Sequence, residues 1–416
     1  MLTRRVLLRG SAVVMAGAGA MPGWLARAAE ATDSPGARKK ILVAIFQRGA
    51  ADGLNIVVPF AEKRYYEMRP SIAIPAPGAT NVPLNVGPFG GAAIDLDGRF
   101  GLNPALEALK PLWDKKQLAI IEATGSPDPS RSHFDAQDYM ESGTPGKSMG
   151  NGWLNRALPP ATPETSPLRA IALAAQVPLT LRGDRAAIAV NNTQTFQLGT
   201  QDTAGILESI YSATHDARLG QPGKDAFAAM KMIKTVNQQP YPQAQNAQYQ
   251  QGGELGRNLQ QVARLIKADV GVEAAFAEVD GWDHHGNESN QLSNMLRQFG
   301  GALAAFSTDM GDRIEDIVLV TMSEFGRTAE ENGNGGTDHG HGNVMMVLGG
   351  NVAGGKIYGA WPGLEREQLN EERDLAVTTD FRAVLSELVA GQLGQKDMAR
   401  VFPGYQSGAP LGLLRA

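Results

Sequence analysis

The chain has 416 residues, no cysteine and a formal net charge of −5, with 43% hydrophobic and 19% charged residues. This is the composition of a globular protein, and it excludes a disordered chain, a disulfide scaffold, a thiolate metal site, a catalytic thiol and an iron–sulfur cluster. The acidic balance excludes a nucleic-acid binder held by counterion release, and any metal must be held by oxygen and imidazole ligands.

The chain opens on Thr3-Arg4-Arg5-Val6-Leu7-Leu8-Arg9, continues through a weakly apolar Gly/Ala-rich stretch from Gly10 to Leu25, and reaches Ala26-Arg27-Ala28. Paired arginines, a modest apolar run and an A-x-A cleavage pattern together resemble a twin-arginine export signal. The expectation is a signal peptide over 1–28 and a single domain over 29–416. An ordinary secretory signal and an N-terminal membrane anchor are the alternatives, but the run is short and rich in small residues. No later segment has the 18 or more consecutive apolar residues that a spanning helix needs. Loss of the four arginines within 1–28 takes the charge to about −9 by this count, a poor match for nucleic acid or an anionic membrane surface. The processed protein is therefore expected to be periplasmic or secreted, exported folded by the twin-arginine route, with no membrane anchor and no nucleic-acid partner. Export in the folded state fits a protein that loads a metal first.

In chain order, Lys40 to Phe46 is a short apolar, β-branched run and predicts a buried strand. Asn103 to Trp113 predicts a helix with Asn103 as N-cap and Pro104 at its first position. Leu118 to Glu122 predicts the next strand. Ser132 to Glu141 predicts a helix capped by Ser132, with Asp135 at the third helical position in the manner of a capping box. Leu168 to Leu173 predicts a strand, and Ala204 to Ala213 and Asp225 to Val236 predict helices. Residues 238–253 are rich in Gln, Pro, Asn and Tyr and predict an exposed loop. Gly256 to Lys267 predicts a helix, Val272 to Ala277 a strand, and Asn290 to Met310 a long helix. Asp316 to Thr321 is the clearest buried strand, Asn343 to Leu348 is another, and Thr379 to Leu393 closes as a helix. Strands alternating with helices predict an α/β, doubly wound, mainly parallel sheet with helices on both faces. There is no internal repeat.

In open α/β sheets, ligands bind beyond the carboxyl ends of the strands. The segments expected there are Arg48 to Asn55, Ser130 to Asp135, Asp280 to His285, Ser323 to Thr328 and the Gly-rich Gly335 to Gly342. Five of the six histidines, His133, His284, His285, His339 and His341, fall in these segments. His215 lies elsewhere and reads as a solvated surface residue. Imidazole beside carboxylate suits zinc, manganese or iron, and two Asp–His clusters about 55 residues apart could converge on a dinuclear site. Each piece has a plainer reading alone. Asp52-Gly53 is a turn dipeptide, Ser132 a helix cap, Asp283 a cap, Glu324 with Arg327 an ion pair, and Gly335 to Gly342 a surface loop. Together they favour a metal site.

The segments Arg48-Gly49-Ala50-Ala51-Asp52-Gly53-Leu54-Asn55, Ser132-His133-Phe134, Gly281-Trp282-Asp283-His284-His285, Glu324-Phe325-Gly326-Arg327-Thr328 and Gly336-Thr337-Asp338-His339-Gly340, in that order, resemble those of an exported family catalogued as domain of unknown function 1501. The resemblance runs from the first strand to the last helix. It implies an alkaline-phosphatase-like, sulfatase-like fold and a metal-dependent phospho- or sulfo-hydrolase ancestry. By resemblance, Asp52 matches an early metal ligand and Ser132 the nucleophile at a helix N-terminus. Asp283 with His285, and Asp338 with His339, match the later metal ligands. Glu324 stands where an Asp-His pair would be expected, so either Glu324 or Asp338 takes that ligand role. Arg327 would clamp the non-bridging oxygens of the ester. His284 and His341 fall outside the family pattern. A formylglycine sulfatase is not expected, because no Ser here lies in the required S-x-P-x-R context.

The implied cofactor is one or two divalent ions, with zinc, manganese, magnesium and calcium not distinguished. The leading expectation is an exported metal-dependent hydrolase of phosphate or sulfate esters acting on a small-molecule ester. The alternatives are a non-catalytic exported protein that keeps the fold and serves a protein partner, and a structural domain with incidental histidines.

Overall fold

The computed structural model describes residues 38–79, 91–196 and 217–415. The expected leader over 1–28, the helix expected at Ala204 to Ala213 and His215 lie outside the described residues.

The first strand, β1 (Ile41–Gln47), is buried along its whole length. It pairs in parallel with β8 (Ala274–Val279) on one side and β9 (Ile317–Ser323) on the other, so that Ile45 lies opposite both Ala277 and Thr321. The sheet order is β11-β5-β10-β9-β1-β8-β6-β7, with β12 (Thr379–Asp380) also pairing β5. The other members are β5 (Leu118–Gly125), β6 (Ala170–Leu173), β7 (Ile188–Ala189), β10 (Asn343–Gly349) and β11 (Lys356–Tyr358). All pairings are parallel except those of β10 with β9 and with β5. The cause lies in the connection. The chain leaves β9 and enters β10 through residues 324–342, which hold no crossover helix, so it returns antiparallel from the same end of the sheet. Three two-residue strands, β2 (Val57–Val58), β3 (Ile94–Asp95) and β4 (Gly101–Leu102), make a small antiparallel sheet in the order β2-β4-β3.

Alternate residues of β1 face opposite layers, as strand geometry requires. Ile41, Val43 and Ile45 pack with α7 (Gly253–Lys267) and α8 (Glu288–Met310) through Leu259, Val262, Leu296 and Phe306. Leu42, Ala44 and Phe46 pack with α5 (Trp153–Ala157) and α9 (Phe381–Leu393) through Trp153, Phe381, Leu385 and Val389. Helices thus cover both faces of a mainly parallel sheet. The shorter helices are α1 (Gly53–Ile56), α2 (Lys63–Met68), α3 (Lys110–Asp114), α4 (His133–Ser142) and α10 (Met398–Val401), and α6 (Ala217–Gln238) precedes α7.

Two expectations change. The helix expected from Asn103 to Trp113 begins as a 3-10 turn over Pro104–Leu109, and Leu106 lies off the helical region at φ −95, ψ 17. Pro111 has no N–H to donate back into the preceding turn, so α3 starts afresh at Lys110. Asn103 does cap, accepting from the Ala105 N–H. Residues 238–253 are anchored rather than exposed throughout. Ala247 and Tyr249 are buried, and the Tyr241 and Tyr249 hydroxyls donate to Asp309 of α8. Lys267 of α7 donates to the same carboxylate at 2.6 Å. A composition rich in Gln and Pro hides such an anchor, because two tyrosines supply it. Among the described residues no helix is long and apolar enough to cross a membrane.

Candidate metal centre

The carboxyl ends of β5, β8 and β9 deliver three groups to one place. After β5, the chain reaches Ser132, whose Oγ accepts from the Asp135 N–H at 3.4 Å and starts α4. His133 is therefore the first helical residue, aimed back across the sheet edge. After β8, Trp282 buries itself completely against Phe299 of α8 and fixes the turn that presents Asp283 and His285. After β9, residues 324–342 double back, so that 326–328 run antiparallel to 338–341 and Arg327 and His339 pair across the backbone. Two glycines permit this close fold: a Cβ on Gly326 would lie 1.9 Å from the Gly342 carbonyl oxygen, and one on Gly340 would lie 2.3 Å from the Arg327 carbonyl.

The histidine Nε2 atoms face one another. His133 Nε2 is 3.0 Å from His339 Nε2, and His285 Nε2 is 3.1 Å from the same atom. Asp283 completes the group, with Oδ1 3.2 Å from His339 Nε2 and 2.9 Å from His285 Nε2, and Oδ2 3.5 Å from His133 Nε2. His133, Asp283 and His339 offer ligand atoms that all lie within 4.8 Å of one another. His285 adjoins this triad on its exposed side, with its side chain 47% exposed.

Each imidazole has an oxygen behind it. His133 Nδ1 lies 2.8 Å from Glu324 Oε1, His285 Nδ1 lies 2.9 Å from Asp338 Oδ1, and His339 Nδ1 lies 3.1 Å from the Arg131 carbonyl oxygen. Carboxylate and carbonyl oxygens only accept, so each Nδ1 donates, and a ring in its neutral form carries its lone pair on Nε2. Metal-binding histidines are held in this way. Lone pairs 3.0 Å apart repel unless a cation sits between them. Imidazoles bonded to a zinc ion at about 2.0–2.1 Å stand about 3.3 Å apart in a tetrahedron, close to the spacing seen here. The donor set fits a metal ion.

The charges agree. Glu324 is buried, which alone would raise its pKa, but hydrogen bonds from His133, from Gln137 at 2.9 Å and from the Gly49 N–H at 2.8 Å hold it below the ordinary value. The hydrogen bond to Glu324 pushes His133 up against burial, while burial and the His133 charge push His339 down. Burial would raise Asp283, yet the Arg327 guanidinium, donating to Oδ1 at 2.5 Å, lowers it. Asp338 is lowered chiefly by its hydrogen bond with His285.

The residues singled out from sequence thus take distinct places. Asp283, His285 and His339 come together. Glu324 and Asp338, the two alternatives for one ligand, each lie behind a histidine instead. Arg327, expected to clamp an ester, is buried and bound to Asp283 and to the Thr337 hydroxyl and carbonyl. Asp52 stands outside the converging group and is held by Arg69 through both carboxylate oxygens, at 2.5 and 2.9 Å. Burial would raise Asp52, and Arg69 lowers it. Glu288 beside this pair is pushed well up by burial and by Asp52, and accepts from Asn55 and Thr337. Ser132 is a cap whose hydroxyl contacts the Asp135 N–H. His284 is 2% exposed, and burial pushes its ring down to about 4. His341 is buried away from the triad and lowered by burial.

His133 was named from sequence among the strand-end histidines but was not assigned as a ligand. Its signal was its position, the residue after a capping serine at a strand end. Arg69 and Glu288 gave no signal, since one lies in a loop and the other opens a long helix.

A family model described as "Protein of unknown function (DUF1501)" matches residues 114–403. No curated protein matches the chain. Among solved structures, the chain is similar to the alkaline phosphatase of the Antarctic bacterium TAB5, at TM-score 0.27 and 10% identity over 76% of this chain and 92% of that one. Two variants of that enzyme, described as having Mg bound in the M3 site, match at TM-scores of 0.29 and 0.27, with 10% and 11% identity, over 75% of this chain and 90% of theirs.

Proposed function

The chain belongs to the family of that model, and from this premise we propose that it is an exported, metal-dependent hydrolase of phosphate or sulfate esters that uses a single divalent ion. One observation carries the reading: three imidazole Nε2 atoms and Asp283 converge, with every Nδ1 already committed to an oxygen. His133, Asp283 and His339 would hold the ion, with His285 adjoining on the open side. Three nitrogens and one carboxylate suit zinc, manganese or iron better than magnesium or calcium. Asp52 is satisfied by Arg69, which supports one ion rather than two.

A bound ion supplies Lewis acidity toward an ester oxygen. The chain does the rest. Glu324, Asp338 and the Arg131 carbonyl keep the rings oriented and hold the hydrogen on Nδ1, so that a neutral ring turns its Nε2 lone pair to the ion. Arg327 keeps Asp283 ionised and in place. Ser132 stands at the N-terminus of α4, where free backbone N–H groups and the helix dipole favour a tetrahedral anion, and its hydroxyl is the proposed nucleophile. The segment 1–28 supports work outside the cytoplasm. One observation favours a second reading, a non-catalytic exported partner protein: Phe134, next to His133, is 87% exposed and could meet another protein.

Elemental analysis of the exported protein, purified without chelators, tests the reading. About one equivalent of a transition metal is expected, with little left in Asp283→Ala/His339→Ala. Turnover of p-nitrophenyl phosphate or sulfate should accompany it. Ser132→Ala removes both cap and hydroxyl, whereas Ser132→Asp keeps a capping oxygen. Both should retain metal and lose turnover, with Ser132→Asp the more stable. No metal in the parent sinks the proposal, and full turnover in Ser132→Asp removes Ser132 as nucleophile.

A further inference from the structure

A cavity of about 590 Å³ opens beside the histidine group, at the carboxyl ends of β6 and β8 and against α7 and α8. The turn after β8 gives Asp280, Gly281 and His284 to its wall, and the same turn carries Asp283 and His285 of the proposed metal centre. Its wall contains Glu254, Asn258, Asp280, His284 and Asn294, with Phe299 at one side, and no lysine or arginine. His284 is 2% exposed, and its Nδ1 has no hydrogen-bond partner.

The wall chemistry selects the occupant. Carboxylates and amides with no cation repel a phosphate or carboxylate group. Side-chain amides both donate and accept, carboxylates accept, and an imidazole nitrogen can do either. A hydroxyl also does both, so neighbouring hydroxyls on one ring suit this wall, while the ring's C–H face suits Phe299. We propose that the cavity between α7, α8 and the Asp280–His285 turn binds an uncharged, hydroxyl-rich group, a sugar or polyol. As a statement about substrate, this rests on the hydrolase reading: the ester would be that of a carbohydrate, with its charged group at the metal and its sugar in the cavity. As a statement about binding, it stands without turnover.

Equilibrium binding to the metal-loaded protein tests it, by saturation-transfer NMR and calorimetry with glucose and N-acetylglucosamine as neutral probes, glucuronate as an anion and spermidine as a cation. Asp280 and Asn294 are on the exposed rim, so Asp280→Ala and Asn294→Ala should fold and keep their metal. The expected result is saturable binding of a neutral sugar, weakened about tenfold or more in each variant, with unchanged metal content. Binding of spermidine but not sugars, preference for glucuronate, or no binding of either neutral sugar overturns the proposal. Sugar binding without ester hydrolysis would sink the hydrolase reading and leave the cavity assignment standing.

Discussion

The three imidazoles are backed by unlike oxygens, and their substitutions should be unequal. Glu324 is buried and also takes hydrogen bonds from Gly49 and Gln137, so it holds His133 in a nearly solvent-free setting. Asp338 is over half exposed and holds His285, which is itself half-exposed and adjoins the triad from outside. Partners behind metal-binding histidines typically carry 10–100-fold in affinity. Glu324→Gln leaves an acceptor but removes the charge that favours the His133 N–H, and should weaken metal binding by about that much. Asp338→Asn should weaken it less. Competition with a chromogenic chelator reads both, and equal losses would show that burial does not set the hierarchy.

At the scale of the element, β1, β5, β6, β8, β9 and β10 were legible because each is an apolar run bounded by turn residues and buried along all or most of its length, whereas the short β2, β3, β4, β7, β11 and β12 were not. The direction of β10 was not, since direction depends on what the connecting segment packs against rather than on the strand's own residues. Nor was the bulge in β5 legible. Between Thr124 opposite Asn343 and Ile121 opposite Met345, two residues of β5 oppose one of β10, and Ala123 takes a left-handed φ of 51. The extra residue leaves Glu122 fully buried in the sheet, with Oε1 unpartnered. Burial, and secondarily Asp97, push its pKa well above the ordinary 4.5. The folded state thus binds a proton that the unfolded chain releases above about pH 4.5. Stability should fall as pH rises from there toward the folded value, by up to about 1.4 kcal/mol per pH unit from this group. Glu122→Gln removes the effect. Its thermal midpoint should exceed that of the parent at pH 7, and the difference should vanish near pH 4. A difference independent of pH would mean that Glu122 is ionised when folded.

Over the whole molecule, the centre is made of groups that are distant in sequence. His133 belongs to the β5–α4 junction, Asp283 and His285 to the β8–α8 junction, and His339 to the return from β9 to β10. Sequence order could place each at a strand end, because the sheet puts all such ends on one edge. Which of them meet depends on the strand order, where β9 and β10 separate β5 from β1 and β8. β1 itself lies between β9 and β8, yet Asp52 at its end is taken by Arg69 rather than by the histidines, so local pairing decides as well. A metal held by three junctions would bind the folded chain and have no comparable site in the unfolded one, so binding energy would become folding energy. With free metal at about a hundred times its dissociation constant, the gain is about 2.7 kcal/mol. Chelation of the metal-loaded protein should therefore lower Tm, reversibly on re-adding metal, while Asp283→Ala/His339→Ala should melt at the same temperature with or without chelator. A parent whose Tm ignores both chelator and added metal would mean that the junctions are already held by their own hydrogen bonds, with a proton on His133 in place of the ion.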